Sequence, residues 1–166
     1  MKIMTEASIN KQAKLSQHFT LGELTKTNMK IENVPNEAQV NNLKRLCGWL
    51  EELRRRWNNR YVNPLPTSPR GGEEEPIIIN SGFRSPEVNK AKGGALNSNH
   101  LTGCAVDIRC LGIEQALRYA VILLDIADEG KGDFDELLIE KSAKSIWVHF
   151  AVRPKDNRRR VAFIKA

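Results

Sequence analysis

The sequence predicts an α+β fold, with helices packed on a small, mostly antiparallel sheet. Three observations carry that expectation. Val40, Leu43, Leu46, Cys47, Leu50, Leu53 and Trp57 recur at three- and four-residue steps, the spacing of one helix face. CAVDIRC (104–110) alternates apolar and polar character, the period of a strand. Towards the C-terminus FDELLIE (134–140), SIWVHFAV (145–152) and RVAFIKA (160–166) read as three further strands separated by turns. The 166 residues suffice for one compact domain with its own core, and 1–166 is read as a single domain.

Taken in order, LSQHFTLGEL (15–24) is short and mixed, one helical turn with a loop. Asn36 to Trp57 is the long helix, with Pro35 suited to its first turn. Residues 58–75 hold three prolines, two glycines and a charge run, which predicts an exposed connecting loop inserted in the domain. PIIIN (76–80) is a short apolar strand. SPEVNKA starts a short helix with Ser85 as cap and Pro86 in first position, and Gly93 and Gly94 stop it. In CAVDIRC, Cys104, Val106, Ile108 and Cys110 face one way, and Ala105, Asp107 and Arg109 the other. Ile113 to Asp128 is a second amphipathic helix, ended by Gly130. In SIWVHFAV, Ile146, Val148 and Phe150 form one face, and Trp147, His149 and Ala151 the other.

A net charge of +6 favours an anionic partner, either nucleic acid or a cell-envelope polymer. Aromatics at 6% and the lack of a nucleic-acid motif argue against the first, so no nucleic-acid partner is expected. The start, MKIMTEASINKQAKLSQHF, has no apolar signal region, and no segment is long enough to span a membrane. The expectation is synthesis in the cytoplasm without a signal peptide, no membrane partner, and release by something else if the protein acts outside. Cys47, Cys104 and Cys110 are odd in number and lack metal spacing, so buried reduced thiols are expected. LRRRW (53–57) and RPKDNRRR (153–160) are the densest basic runs. Solvated faces are the simpler reading, and attachment to an anionic cell-envelope polymer is the alternative for RRRW.

Asp107 and His149 both fall on polar strand faces, and His100 sits on the loop leading into the first of those strands. Two imidazoles and one carboxylate suit a catalytic zinc ion, which takes three protein ligands and leaves a fourth position to water. Gly103 would let the loop turn back to bring His100 over Asp107. The simpler readings are a surface His100, an Asp107–Arg109 pair and a satisfied His149 beside Trp147; spacing alone does not remove them.

The wider pattern adds to this. SGFRSPEVNKAKGGALNSNHLTGCAVDI, then FDELLIE, then WVHF closely resembles the zinc D-Ala-D-Ala carboxypeptidase and L-alanyl-D-glutamate peptidase family, cell-wall metallopeptidases of bacteria and phages. That family shares its superfamily with the hedgehog signalling domain. Ser98, His100, Gly103, Ala105 and Asp107 meet the signature Ser-x-His-x-x-Gly-x-Ala-x-Asp, and Trp147 and His149 the later Trp-x-His. LSQHFTLGELTKT resembles the opening of the phage-type members. The resemblance implies one zinc per chain, held by His100, Asp107 and His149, and a structural role for His18. It implies that Arg84 contacts substrate and stabilises the oxyanion, and that Ser98 contacts substrate or braces the loop. The base, which then serves as acid, is implied at the end of the strand before His149, at Glu140. A tight hairpin across KSAK would instead put Glu136 opposite His149. The function implied is a zinc peptidase cutting the peptidoglycan stem or cross-link, as carboxypeptidase or endopeptidase; a monomer is expected, and of a phage or prophage lysin and a host wall-remodelling enzyme, the lack of an apolar signal region favours the first. The alternative is a catalytically inactive, zinc-containing cell-wall binding module.

Overall fold

Asn36 starts the long helix. Its side chain accepts from the Gln39 amide while the Gln39 side chain accepts from the Asn36 amide, which satisfies two orphan donors at the helix start. In the computed structural model, which describes residues 10–64 and 72–166, this helix is α2, Glu37–Trp57. Pro35 therefore precedes the cap and does not occupy the first turn, because the Asn36 side chain reaches the free amides and takes the cap position itself. Before it, α1 (Leu21–Thr25) starts on a reciprocal pair between Thr20 and Glu23. After β1 (Ile79–Ser81), α3 (Pro86–Ala91) has Ser85 as its cap and Pro86 in its first position, as expected.

The sheet consists of β1, β2 (Ala105–Cys110), β3 (Glu136–Lys141), β4 (Ile146–Ala151) and β5 (Arg160–Lys165) in the order β1-β2-β4-β3-β5. Its pairings are antiparallel except for β5, which runs parallel to β3. An α+β architecture with a mostly antiparallel sheet is thus observed.

Two stretches depart from expectation. β1 is shorter than PIIIN and lies later: Pro76 has no N–H for a ladder, and the register against β2 shifts between Ile79 and Ser81. Residues 58–62 do not leave as an exposed loop but continue α2 as a wider π-type turn. Asn58 is buried there and ties the segment down, donating to Arg54 O (2.9 Å) and Glu75 O (3.0 Å) and accepting from the Glu75 amide (2.7 Å). Residues 65–71 of the expected loop lie outside the described residues.

The strand period divides the sheet into two faces. Val106, Ile108, Leu137, Ile139, Val148 and Phe150 point to the core beneath α2 and α4 (Ile113–Ile126). Trp49 and Phe134 pack on Phe150 at ring-centroid distances of 5.3 and 5.7 Å, and Trp57 meets Tyr119 edge-on at 4.9 Å. Burial of each such side chain stabilises by about 1.5–3 kcal/mol. Cys47, Cys104 and Cys110 are buried free thiols. The second helix ends at Ile126, two residues early, and runs on as a wider turn, Ala127–Lys131, inside which Gly130 takes φ +91°. Among the described residues no helix is long and apolar enough to cross a membrane.

The other sheet face carries Asp107, His149, Leu138, Glu136 and Glu140. A loop anchored to α2 overhangs it. Gln39 Nε2 donates to Leu101 O (3.0 Å) and Asn42 Nδ2 to Thr102 O (2.8 Å). Gly103 closes that loop at φ +72°, and a Cβ there would stand 2.6 Å from Gln39 O. Gly103→Ala is therefore expected to cost about 1–3 kcal/mol, read as a lower urea midpoint. An unchanged midpoint would show that the loop is not held against α2.

Candidate metal centre

His100 sits in a single 3-10 turn, Asn99–Thr102, whose cap Ser98 accepts from the His100 amide through Oγ at 3.3 Å. The His100 carbonyl in turn accepts from the Arg84 amide at 3.1 Å, which links the turn to the start of α3. His100 Nδ1 lies 2.7 Å from Gly82 O. A carbonyl only accepts, so Nδ1 carries the hydrogen and Nε2 is turned towards Asp107 Oδ1, 3.3 Å away.

Asp107 and His149 are direct cross-strand partners in the β2–β4 ladder. His149 Nδ1 lies 3.0 Å from Asp107 Oδ1, and Nε2 lies 3.2 Å from Glu136 Oε2. Arg84 completes the group: Nη2 donates to Asp107 Oδ2 at 2.7 Å and Nε to Ser81 Oγ at 2.9 Å. Asp107 thus pairs with Arg84, not with its strand neighbour Arg109. The two histidines and Asp107 are all buried.

Electrostatics bind these groups together. Burial alone would raise the Asp107 carboxyl, but the nearby charge of His100 and hydrogen bonds from both histidines hold it far below the usual carboxylate range. Burial likewise works against charge on His149, yet its bonds to Asp107 and Glu136 prevail and lift it to about 9. The site is therefore built to hold positive charge between carboxylates. One ligand atom from each of His100, Asp107 and His149 can be chosen with all three within 4.8 Å of one another. Among the described residues no other group of histidine, cysteine and acidic side chains gathers in this way. Two nitrogens and a carboxylate oxygen match the donor set of a catalytic zinc ion. His18 lies elsewhere, with Nδ1 2.7 Å from Glu51 Oε2.

The group lies in a cleft of about 710 Å³ that also receives Arg84, Ser98, Glu136, Glu140 and Trp147. The turn between β3 and β4 is looser than a tight KSAK hairpin: Lys141 pairs with Ile146, so Leu138 stands opposite His149. Glu136 and Glu140 flank that position two residues to either side, on the cleft face.

Sequence reasoning missed the ring behind Glu136. Glu136 Oε2 accepts from His149 Nε2 and from Asn99 Nδ2 (both 3.2 Å), while Oε1 accepts from Arg160 Nη1 and forms an ion pair with Arg158 Nη2 (both 3.1 Å). Asp135, with no exposed surface, accepts from Arg158 Nε (2.9 Å) and Nη2 (2.7 Å) and from Asn99 Nδ2 (2.7 Å), with Arg153 Nε 3.2 Å away. RPKDNRRR is largely exposed, as expected, yet its Arg153, Arg158 and Arg160 also make ion pairs with Asp135 and Glu136. It folds back because Asp135 and Glu136 need cationic partners. LRRRW is likewise engaged, Arg54 with Glu74 and Arg56 with Glu52 and Glu129. The only signal for the ring was a carboxylate pair, Asp135-Glu136, at the mouth of an apolar strand.

The family model described as Peptidase M15 matches residues 69–138. The matched segment contains Arg84, Ser98, His100, Asp107 and Glu136 and stops before Glu140 and His149. The match supports the zinc D-Ala-D-Ala carboxypeptidase-like family, hence a peptidase and a peptide substrate. No curated protein matches the chain.

Asp135 permits a test of the ring. Burial would raise its carboxyl, but the bonds from Arg158 and Asn99 outweigh that and hold it at about 2, below its ordinary 3.8. A depressed carboxyl stabilises the fold above its unfolded value and loses that contribution as pH falls through the folded one. Asp135→Asn is expected to cost ~2–3 kcal/mol at pH 7, and the gap from the unsubstituted protein should close between about pH 4 and 2. Denaturant titrations across that window check it; a pH-independent gap would contradict it.

Proposed function

Proceeding from the Peptidase M15 match, we propose that this chain is a zinc-dependent peptidase that hydrolyses peptide bonds in the stem or cross-link of peptidoglycan. One observation carries the reading: His100, Asp107 and His149 converge in a cleft, with Arg84 and Glu140 beside them. Zinc, when bound, supplies a Lewis acid that activates water near neutral pH and polarises the scissile carbonyl.

The residues of the chain do the rest. His100 offers Nε2, because its one ring hydrogen sits on Nδ1 and goes to Gly82 O, and Asp107 offers a carboxylate oxygen. Arg84 is anchored through Nε and Nη2, which leaves Nη1 without a hydrogen-bond partner among the described residues. That cationic edge suits a substrate carboxylate or the oxyanion that develops during attack. Glu140 is the general base, later the acid that protonates the leaving amine. Its carboxylate has no hydrogen-bond partner among the described residues, whereas Glu136 accepts from His149, Asn99 and Arg160 and is ion-paired with Arg158. A carboxylate engaged through both oxygens by cationic and N–H partners is a weaker base towards water than a free one. Ser98 braces the His100 turn through its oxygen.

The substrate class follows from charge. Lys92 and the open edge of Arg84 line the cleft and favour a peptide with free carboxylates, as in the peptidoglycan stem, whereas Arg153, Arg158 and Arg160 there are already paired with Asp135 and Glu136. Action on the wall by a monomer, after release from the cytoplasm as in a phage lysin, is part of this proposal.

Metal analysis should find about one zinc per chain, lost in His100→Ala and Asp107→Ala; full retention by both variants would sink the ligand assignment. Glu140→Gln should keep its zinc and lose ~10²–10⁴-fold in turnover, measured by mass spectrometry of fragments released from purified peptidoglycan. Wild-type turnover in that variant would remove Glu140 as the base. If the unsubstituted protein binds zinc but releases no fragment from any wall type, a non-hydrolytic wall-binding module replaces the peptidase.

A further inference from the structure

Glu136 lies in the cleft beside a ligand and outside the proton-transfer role given to Glu140. His149 has two ring nitrogens with separate surroundings. Nδ1 faces Asp107 Oδ1 at 3.0 Å, on the side where His100 also converges; Nε2 faces Glu136 Oε2 at 3.2 Å. Only Nδ1 is therefore on the side of the other two ligands. An imidazole that gives one nitrogen to a cation must keep its hydrogen on the other, and the acceptor it meets there fixes both tautomer and ring orientation.

Resting on the zinc reading above, we propose that Glu136 is the positioning residue of the metal centre: it accepts the Nε2 hydrogen of His149 and so commits Nδ1 to the metal. Its own fixity comes from the ring behind it. Arg158 and Arg160 clamp Oε1, while Asn99 shares Oε2 with His149. Asn99 is itself held between Asp135 and Arg153, through Nδ2 at 2.7 Å and Oδ1 at 2.9 Å. The segment after β4 and the residue before His100 thus meet on one carboxylate. This gives the folded-back basic run a function: it neutralises and orients the acceptor that orients the ligand. Glu136 touches neither substrate nor reacting water in this role; it acts through His149.

The first test needs no substitution. In the zinc-loaded full chain, long-range ¹⁵N–¹H spectra of His149 should show a metal-bound Nδ1 and a protonated Nε2. Coordination through Nε2 overturns the proposal. The second test measures zinc affinity by competition with a chromophoric chelator. Glu136→Leu, which removes the acceptor, should bind zinc ~10–100-fold more weakly. Glu136→Gln keeps an oxygen that accepts from Nε2, and its affinity should lie nearer that of the unsubstituted chain. The cobalt(II) absorption bands should shift in Glu136→Leu, which a merely structural role would leave in place. Melting curves of the metal-free forms show whether each variant is folded; if Glu136→Leu is not, the ¹⁵N result and the Glu136→Gln affinity decide. Unaltered affinity and bands in a folded Glu136→Leu overturn the role of Glu136 while leaving the zinc site intact. An unsubstituted chain that binds no zinc overturns the metal reading, and this proposal with it.

Discussion

The carboxylate of Asp107 is the fixed point of this structure. It is ionised, buried and shared among His100, His149 and Arg84. An isolated charge in that position would be costly, so the surroundings must supply positive charge from several sides. Each side comes from a different part of the chain: the turn before β2, the strand β4, and the segment between β1 and α3. The convergence that satisfies Asp107 is the same convergence that can hold a cation.

Strand register delivers it. Because side chains alternate along a strand, a slip of one residue between β2 and β4 would send Asp107 or His149 towards the core and bring an apolar residue into the cleft. The core face resists that slip, since Val106, Ile108, Val148 and Phe150 are fully buried under α2 and α4. The long helix therefore serves the site from the far side of the sheet. It also serves it directly, through Gln39 and Asn42, which hold the turn that carries His100. Gly82 contributes by close approach: a Cβ there would stand 2.3 Å from Leu24 O, and its carbonyl is the one that orients His100.

Much of this was legible in the sequence, for local reasons. Helix α2 declares itself through a 3.6-residue apolar period, and β2 and β4 through alternation that already placed Asp107 and His149 off the core. The proposed ligands lie on those two strands and one flanking turn, but it is the family resemblance, not the alternation, that implies them as a set. What stayed hidden depends on pairings between distant segments. The choice between Glu136 and Glu140 turned on the length of one hairpin turn, and Leu138 opposite His149 matched neither arrangement considered. The arginine partners of Asp135 and Glu136 lie 18 or more residues away at Arg153, Arg158 and Arg160, in a run that composition alone describes only as solvated. Pro35 was misplaced because both it and Asn36 suit a helix start; only the side-chain bonds of Asn36 separate them.

The central claim is that a single metal ion joins the turn before β2 to β4 at Asp107. Diffraction from zinc-soaked crystals, recorded on both sides of the zinc absorption edge, tests it most directly. The account predicts one strong anomalous peak within about 2.0–2.2 Å of His100 Nε2, His149 Nδ1 and an Asp107 carboxylate oxygen, with Glu136 outside the coordination sphere. A peak centred on Glu136 or Glu140, or no peak between the two histidines, would contradict it.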